Sequence, residues 1–175
     1  MNSAFGRNLE FDDIYQHITS PESLYLLRQN KLVAMAAYTG KQFSSRHCLY
    51  VDGIAISPEM QGKGVFKAIT LKAMKESYDF ICLRTQNPRM YRALEKCCSR
   101  IFPGSETMPQ IVKAIILDMA KDLNCSIDGN GVVKSYYGGL FYGIEPHHKK
   151  IDPLFKELGL NLHNGDGLLV TGETE

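Results

Sequence analysis

An α+β fold, in which a mixed and mostly antiparallel sheet lies in three layers between helices on both faces, is predicted by three features of the chain. Two strand-like runs, Ser23–Leu27 and Lys31–Tyr38, flank Gln29-Asn30, a pair suited to a hairpin turn. A further strand ends near Ile56 and passes through Ser57, Pro58 and a glycine-bearing turn into an amphipathic helix. Beyond that helix, Tyr78–Leu83 (YDFICL) has the composition of a buried strand, and a strand reached through a helix lies parallel to the one before it.

The elements follow in order. Phe11–Ile18 is a short helix with Phe11, Ile14, Tyr15 and Ile18 on one side, ended by Pro21. After the hairpin, His47–Ile56 is a strand rich in β-branched and aromatic residues, and Pro58, which lacks a ladder N–H, stops it. The turn holds Gln61, Gly62, Lys63 and Gly64; the helix after it repeats apolar residues at Val65, Ala68, Ile69, Ala73 and Met74. Past Tyr78–Leu83, Asn87 suits a helix N-cap and Pro88 a first helical position, with Met90, Leu94 and Cys97 or Cys98 facing inward.

Thr107 and Gln110 have the spacing of a capping box ahead of a helix whose Ile111, Val112, Ile115, Ile116, Met119 and Leu123 share a face. Val132–Gly143 is aromatic and glycine-rich, and reads as a strand, a loop or both; its Tyr136, Tyr137, Phe141 and Tyr142 suit either an acceptor pocket or the core. Asp152–Leu158 is a short helix, and Gly167–Thr171 a last strand completing the sheet. No repeat or linker divides residues 1–175, so one domain is expected.

The turn at 61–64 carries the chemistry. A first helical turn leaves backbone N–H groups without intrahelical partners at the positive end of the dipole, where an anion is stabilised. Glycine at 62 and 64 removes Cβ atoms that would hold a phosphate away, and Lys63 adds a positive charge. Glycine in such a turn also serves conformation alone. A Walker loop needs Ser or Thr after its lysine, where this chain has Gly64, and a dinucleotide fingerprint needs a third glycine where Phe66 stands.

Ile54-Ala55-Ile56-Ser57-Pro58-Glu59-Met60-Gln61-Gly62-Lys63-Gly64-Val65 resembles the acyl-coenzyme A signature of the GNAT (GCN5-related N-acetyltransferase) family, with Gln61 in its first place and Gly64 in its fourth. The specific similarity runs from about Cys48 to Leu94. The resemblance implies a central parallel strand pair that splays apart at the acyl-coenzyme A site, a co-substrate such as acetyl-CoA, and an acceptor that is a small-molecule or peptide amine. It places Ile54, Ala55 and Ile56 along the pantetheine arm; Gln61, Gly62, Lys63, Gly64, Val65 and Phe66 at the diphosphate; and Asn87 facing the coenzyme. The helix and aromatic-glycine segment at about 105–145 depart from a minimal member. At the sixth signature place, usually small, Phe66 must point its ring away from the ligand or narrow the groove.

The same resemblance bears on proton transfer. Many such enzymes have a tyrosine about two helical turns past the asparagine that returns a proton to the leaving thiolate; here that place holds Leu94. Tyr91, one turn earlier, is the candidate general acid if the helix is shifted or rotated, and otherwise a packing or surface residue. Asp52 is the candidate general base, on the cofactor strand and sharing, by alternation, a face with Ile54 and Ile56. Direct transfer to an amine, without a covalent enzyme intermediate, is the expected reaction. A non-catalytic acyl-coenzyme A sensor, suggested by Phe66 and Leu94, and a protein–protein surface on the aromatic-glycine segment are the alternatives.

Composition sets the frame. With 175 residues, 44% of them hydrophobic, the chain can bury a sizeable core. A net charge of +1, with no basic run interleaved with aromatics, gives no reason to expect nucleic acid. A polar start and no long apolar run predict a cytoplasmic protein without a membrane partner, and a homodimer is compatible with the sequence. Cys48, Cys82, Cys97, Cys98 and Cys125 fit neither a zinc spacing nor a disulfide framework, and no metal is expected.

Overall fold

The computed structural model describes Tyr15, residues 18–74 and residues 77–174. The described elements are β1 (Ser23–Arg28), β2 (Leu32–Phe43), β3 (Arg46–Ile56), α1 (Val65–Ala73), β4 (Phe80–Thr85), α2 (Pro88–Glu95), β5 (Arg100–Phe102), α3 (Gln110–Asp122), β6 (Val132–Val133), α4 (Asp152–Glu157) and β7 (Gly167–Glu173). A 3-10 turn, Pro58–Met60, links β3 to the glycine turn. Most of the helix expected at Phe11–Ile18 lies outside the described residues.

The strands form one sheet in the order β1-β2-β3-β4-β7-β5, with β6 also paired to β7. Among the described residues only β3 and β4 run parallel; the other pairs are antiparallel. This is the mixed, mostly antiparallel α+β architecture predicted from the chain. The last strand expected from the sequence is present as β7, which inserts between β4 and β5, so its Leu168, Leu169 and Val170 are fully buried. Arg100–Phe102, three residues ending before Pro103, is too short to show an alternation and escaped the sequence pattern.

Alternation splits the core between the two faces of the sheet. Leu49, Val51, Ile81, Leu83, Leu168 and Val170 pack toward α1, α2 and α4, in a cluster with Phe66, Leu94 and Phe155. Cys48, Tyr50, Phe80, Cys82 and Leu169 pack on the other face, against Val112, Ile115, Ile116 and Met119 of α3. The apolar stripe read in α3 is thus its core face, and truncating fully buried Met119 to Ala would cost about 2–5 kcal/mol. The capping box before it does not form. Pro109 takes the N-cap place in an extended conformation with no side-chain bond, because proline's fixed φ already suits the entry to the helix.

Candidate functional site

The parallel ladder of β3 and β4 is short. It runs Cys48↔Phe80, Leu49↔Ile81, Tyr50↔Cys82 and Val51↔Leu83, and stops. Past that point β3 continues to Ile56 paired with β2, and β4 continues to Thr85 paired with β7. The two strands part like a fork. The edge of β3 from Asp52 to Ile56 that would have bonded β4 is turned toward the gap, with Ile54, Ala55 and Ile56 on it.

The glycine turn sits at the end of the β3 prong. Gln61 fixes it there: its Nε2 donates to the carbonyl of Ile56 at 3.0 Å, and its N–H to those of Ser57 and Pro58. Gly62 and Gly64 have φ of 75° and 76°, which side chains rarely tolerate. A Cβ built on either would meet nothing within 4 Å, so the turn needs glycine for its backbone and leaves open space above it. Gly64 is the N-cap of α1 and Ala68 N–H is bonded to its carbonyl; the N–H groups of Val65, Phe66 and Lys67 precede it in the first turn. Lys63 is exposed beside them. Residues and open space fit a diphosphate.

Of the two orientations open to Phe66, the ring takes the one away from the turn. It is 4% exposed and packs with Ala36, Tyr38 and Val51 under α1. Asn87 caps α2, its Oδ1 accepting from Arg89 N–H at 2.9 Å. Leu94 is fully buried.

Tyr91 sits as a packing residue. It is 2% exposed, its hydroxyl donates to the carbonyl of Pro103 at 2.6 Å, and its ring meets Phe155 edge-on. Burial pushes its pKa well above the ordinary tyrosine value, with the Glu95 carboxylate adding to the rise. The phenol proton is committed to the carbonyl of Pro103.

Asp52 does not share a face with Ile54 and Ile56. The β2–β3 register slips between Ala37↔Gly53 and Tyr38↔Val51, which makes Asp52 the extra residue of a bulge. Such a bulge reverses the alternation, so Val51, Ile54 and Ile56 all pack toward α1 while Asp52 faces the α3 side, where Thr39 Oγ1 donates to its Oδ2 at 2.7 Å. Two-residue periodicity could not register the extra residue.

On that side the aromatic-glycine segment folds over the fork as loops and turns around the two-residue β6. Arg84, near the end of β4, has its guanidinium 4.1 Å from the centre of the Tyr136 ring. Its Nη1 donates to the Tyr136 hydroxyl at 2.5 Å and its Nε to that of Tyr137 at 3.3 Å. Tyr50 lies close by; burial pushes its phenol pKa up and the Arg84 charge opposes the rise. Tyr136 also lines a pocket of about 570 Å³ with Leu123, Cys125, Ile127 and Val133.

Two residues that sequence reasoning passed over hold this segment in place. Gln86, fully buried, donates from Nε2 to the carbonyls of Gly139 (3.0 Å) and Leu162 (2.9 Å), and accepts from Phe141 N–H (2.9 Å). Asp166, 1% exposed, accepts from Lys134 Nζ, Ser135 N–H and Asn161 N–H at 2.9–3.0 Å. The available hints were a lone Gln before an N-cap and an Asp before an apolar strand; neither names a partner.

Solved structures that the chain matches include an IAA acetyltransferase from Bacillus cereus (13% identity, 98% of this chain and 90% of that one, TM-score 0.48). A chimera of the Vibrio cholerae spermidine N-acetyltransferase SpeG with hSSAT matches at 14% identity over 97% and 80% of the two chains, with a TM-score of 0.43. A GCN5-related N-acetyltransferase from Kribbella flavida matches at 16% identity over 53% of this chain and 27% of that one, with a TM-score of 0.38. No curated protein matches the chain. The model of the Acetyltransferase (GNAT) family matches residues 3–98, which contain the fork, the glycine turn and α2, and the chain belongs to that family of N-acetyltransferases, enzymes that transfer acyl groups to amines.

Proposed function

We propose that the protein transfers an acetyl group from acetyl-CoA to a primary amine by direct attack, with residues 1–175 working as one domain. The observation that carries this reading is the fork: β3 and β4 separate after Val51↔Leu83, next to a glycine turn opening on free space. In the proposal the diphosphate lies on the N–H groups of Gly62 to Phe66, with Gln61 holding the turn and Lys63 adding charge. The pantetheine arm runs along Ile54, Ala55 and Ile56 in the fork, bonded by main-chain groups that β4 does not use, and Asn87 closes the far side.

The amine attacks from the α3 face. A C–N bond forms as the C–S bond breaks, the ammonium proton passes to Asp52 directly or through water, and the thiolate is protonated from solvent. Holding amine and thioester together contributes several kcal/mol of barrier reduction, on the order of 7 kcal/mol when alignment is good. Tyr91 has no part in this. The sensor reading loses one of its motives, since the ring of Phe66 is buried under α1 rather than lodged in the turn.

Calorimetric titration with coenzyme A, followed by thiol-release assays over a panel of amines, tests the reading. Binding with turnover is expected. Binding without turnover of any amine would make the protein a sensor, and no binding at millimolar coenzyme would remove the proposal.

A further inference from the structure

The proposed reaction leaves the acceptor undefined, and the two lips of the fork bear on it. The β3–β4 register advances in step from Cys48↔Phe80 to Val51↔Leu83. The next residues, Asp52 and Arg84, would face each other had the strands stayed paired, and instead stand on opposite lips where the strands part. Both point to the α3 face: Asp52 through its bond to Thr39, Arg84 through its contacts with Tyr136 and Tyr137. Both charges act on the same Tyr50 phenol, Arg84 lowering its pKa and Asp52 raising it against a background of burial.

Arg84 is mostly buried, yet it takes part in none of the ion pairs among the described residues. Its protein partners are two phenol oxygens and two ring faces. Lys41, on the same face over the Tyr50 ring, shows the contrast, since it is neutralised by Asp122 at 2.5 Å. A guanidinium out of bulk water without a counter-ion is expensive to keep, and hydrogen bonds to neutral phenols offset only part of the cost. The buried side-chain polar atoms without a partner among the described residues are Ser57 Oγ and His148 Nδ1; Arg84 Nη2 is not one of them, so that edge of the guanidinium keeps contact with solvent. A planar cation, stacked on a tyrosine and offering a free N–H edge at the mouth of a fork, suits a carboxylate.

We propose that the acceptor is an amino acid or a closely similar amino carboxylate, with its carboxylate on Arg84 of one lip and its amine at Asp52 of the other. This rests on the acetyl-transfer reading and narrows it. The pairing orients the substrate: the carboxylate docks on the stacked guanidinium, and the amine is left next to the base and the thioester. It also discriminates. A diamine would bring a second positive charge against Arg84, and a simple amine would leave the guanidinium without a counter-ion, so both bind less well.

The test compares matched acceptors in the thiol-release assay: phenylalanine, tyrosine and lysine against their carboxamides and against phenethylamine, tyramine and cadaverine. For at least one amino acid, kcat/KM is expected to exceed that of both counterparts by tenfold or more. Arg84→Gln should bring that ratio close to one, mainly by raising KM, with Arg84→Lys in between and coenzyme titration unchanged in both. The wild-type ratio alone is decisive if a variant fails to fold. Coenzyme binding together with equal or better turnover of the amines lacking a carboxylate overturns this proposal and leaves acetyl transfer standing. Failure to bind coenzyme overturns both.

Discussion

The glycine turn and the aromatic loop flank the same fork and are held in opposite ways. At the turn, the Gln61 side chain reaches a carbonyl five positions away. At the loop, Gln86 bonds residues 53, 55 and 76 positions away, and Asp166 reaches Ser135 across 31. One wall is a local unit that folds where its own sequence directs; the other exists only once distant segments have met. Damage should therefore separate cleanly, with the turn affecting coenzyme and the loop affecting acceptor and stability.

The largest effect should come from Gln86→Leu. It leaves Phe141 N–H and the carbonyls of Gly139 and Leu162 without that partner, and orphaned groups cost about 1–3 kcal/mol each when buried. Because the loop groups are only partly buried, the expected loss is about 3 kcal/mol in total, read from the urea midpoint. Acceptor KM should rise tenfold or more while coenzyme affinity stays within about twofold. An equal loss of coenzyme binding would show that the two walls are one unit.

How much of each wall was legible follows from the same contrast. The strand, glycine turn and helix at 46–73, and the Asn87 cap, are set by residues within a few positions of one another, and the chain spells them out. The faces were legible as long as periodicity held. Asp52 shows where it fails, because a bulge moves the residue to the opposite face without any mark in composition. Tyr91 shows another limit: its partner, the carbonyl of Pro103, carries no side-chain signature, so nothing in the chain told packing from chemistry. Arg84 and Gln86 read as ordinary polar residues at a strand end, because what makes them matter arrives from residues 136–162.

Asp166→Asn should come next, and pH sharpens it. Burial alone would raise the Asp166 pKa, but the N–H groups of Asn161 and Ser135 and the Lys134 ammonium outweigh it, and the net shift is downward. A carboxyl with a depressed folded pKa stabilises above its unfolded pKa of about 3.9, and the contribution is lost as pH falls through the folded value. The variant should lose about 1–2 kcal/mol at pH 7, since Lys134 is more than half exposed and adds little. The gap between wild type and variant, measured by urea unfolding, should begin to narrow below about pH 4 and close as pH falls through the folded value. A constant gap down to pH 3 would mean that the charge has no part in holding the loop.

Gly64→Ala tests the other wall. Its Cβ would meet no atom within 4 Å, so the substitution reads backbone strain at a φ of 76° alone, about 1 kcal/mol. Coenzyme affinity should fall about tenfold as the turn relaxes, equivalent to about 1.4 kcal/mol. Acceptor KM at saturating coenzyme should not change. A Gly64→Ala protein that binds coenzyme like wild type would place the diphosphate elsewhere.

The smallest effect belongs to Lys63, and it separates charge from shape within the turn. The side chain is exposed, caps nothing, and lies between two glycines whose conformations do not depend on it. Lys63→Gln should leave stability unchanged and weaken coenzyme binding only about two- to fivefold at low salt, because an exposed charge acts through high dielectric. The wild-type affinity should fall as salt rises, and the two proteins should converge near 0.5 M, an ionic strength at which the screening length is only about 4 Å. If the difference survives that salt, Lys63 makes a direct, desolvated contact with the phosphate, and the turn grips by side chain as well as by amide.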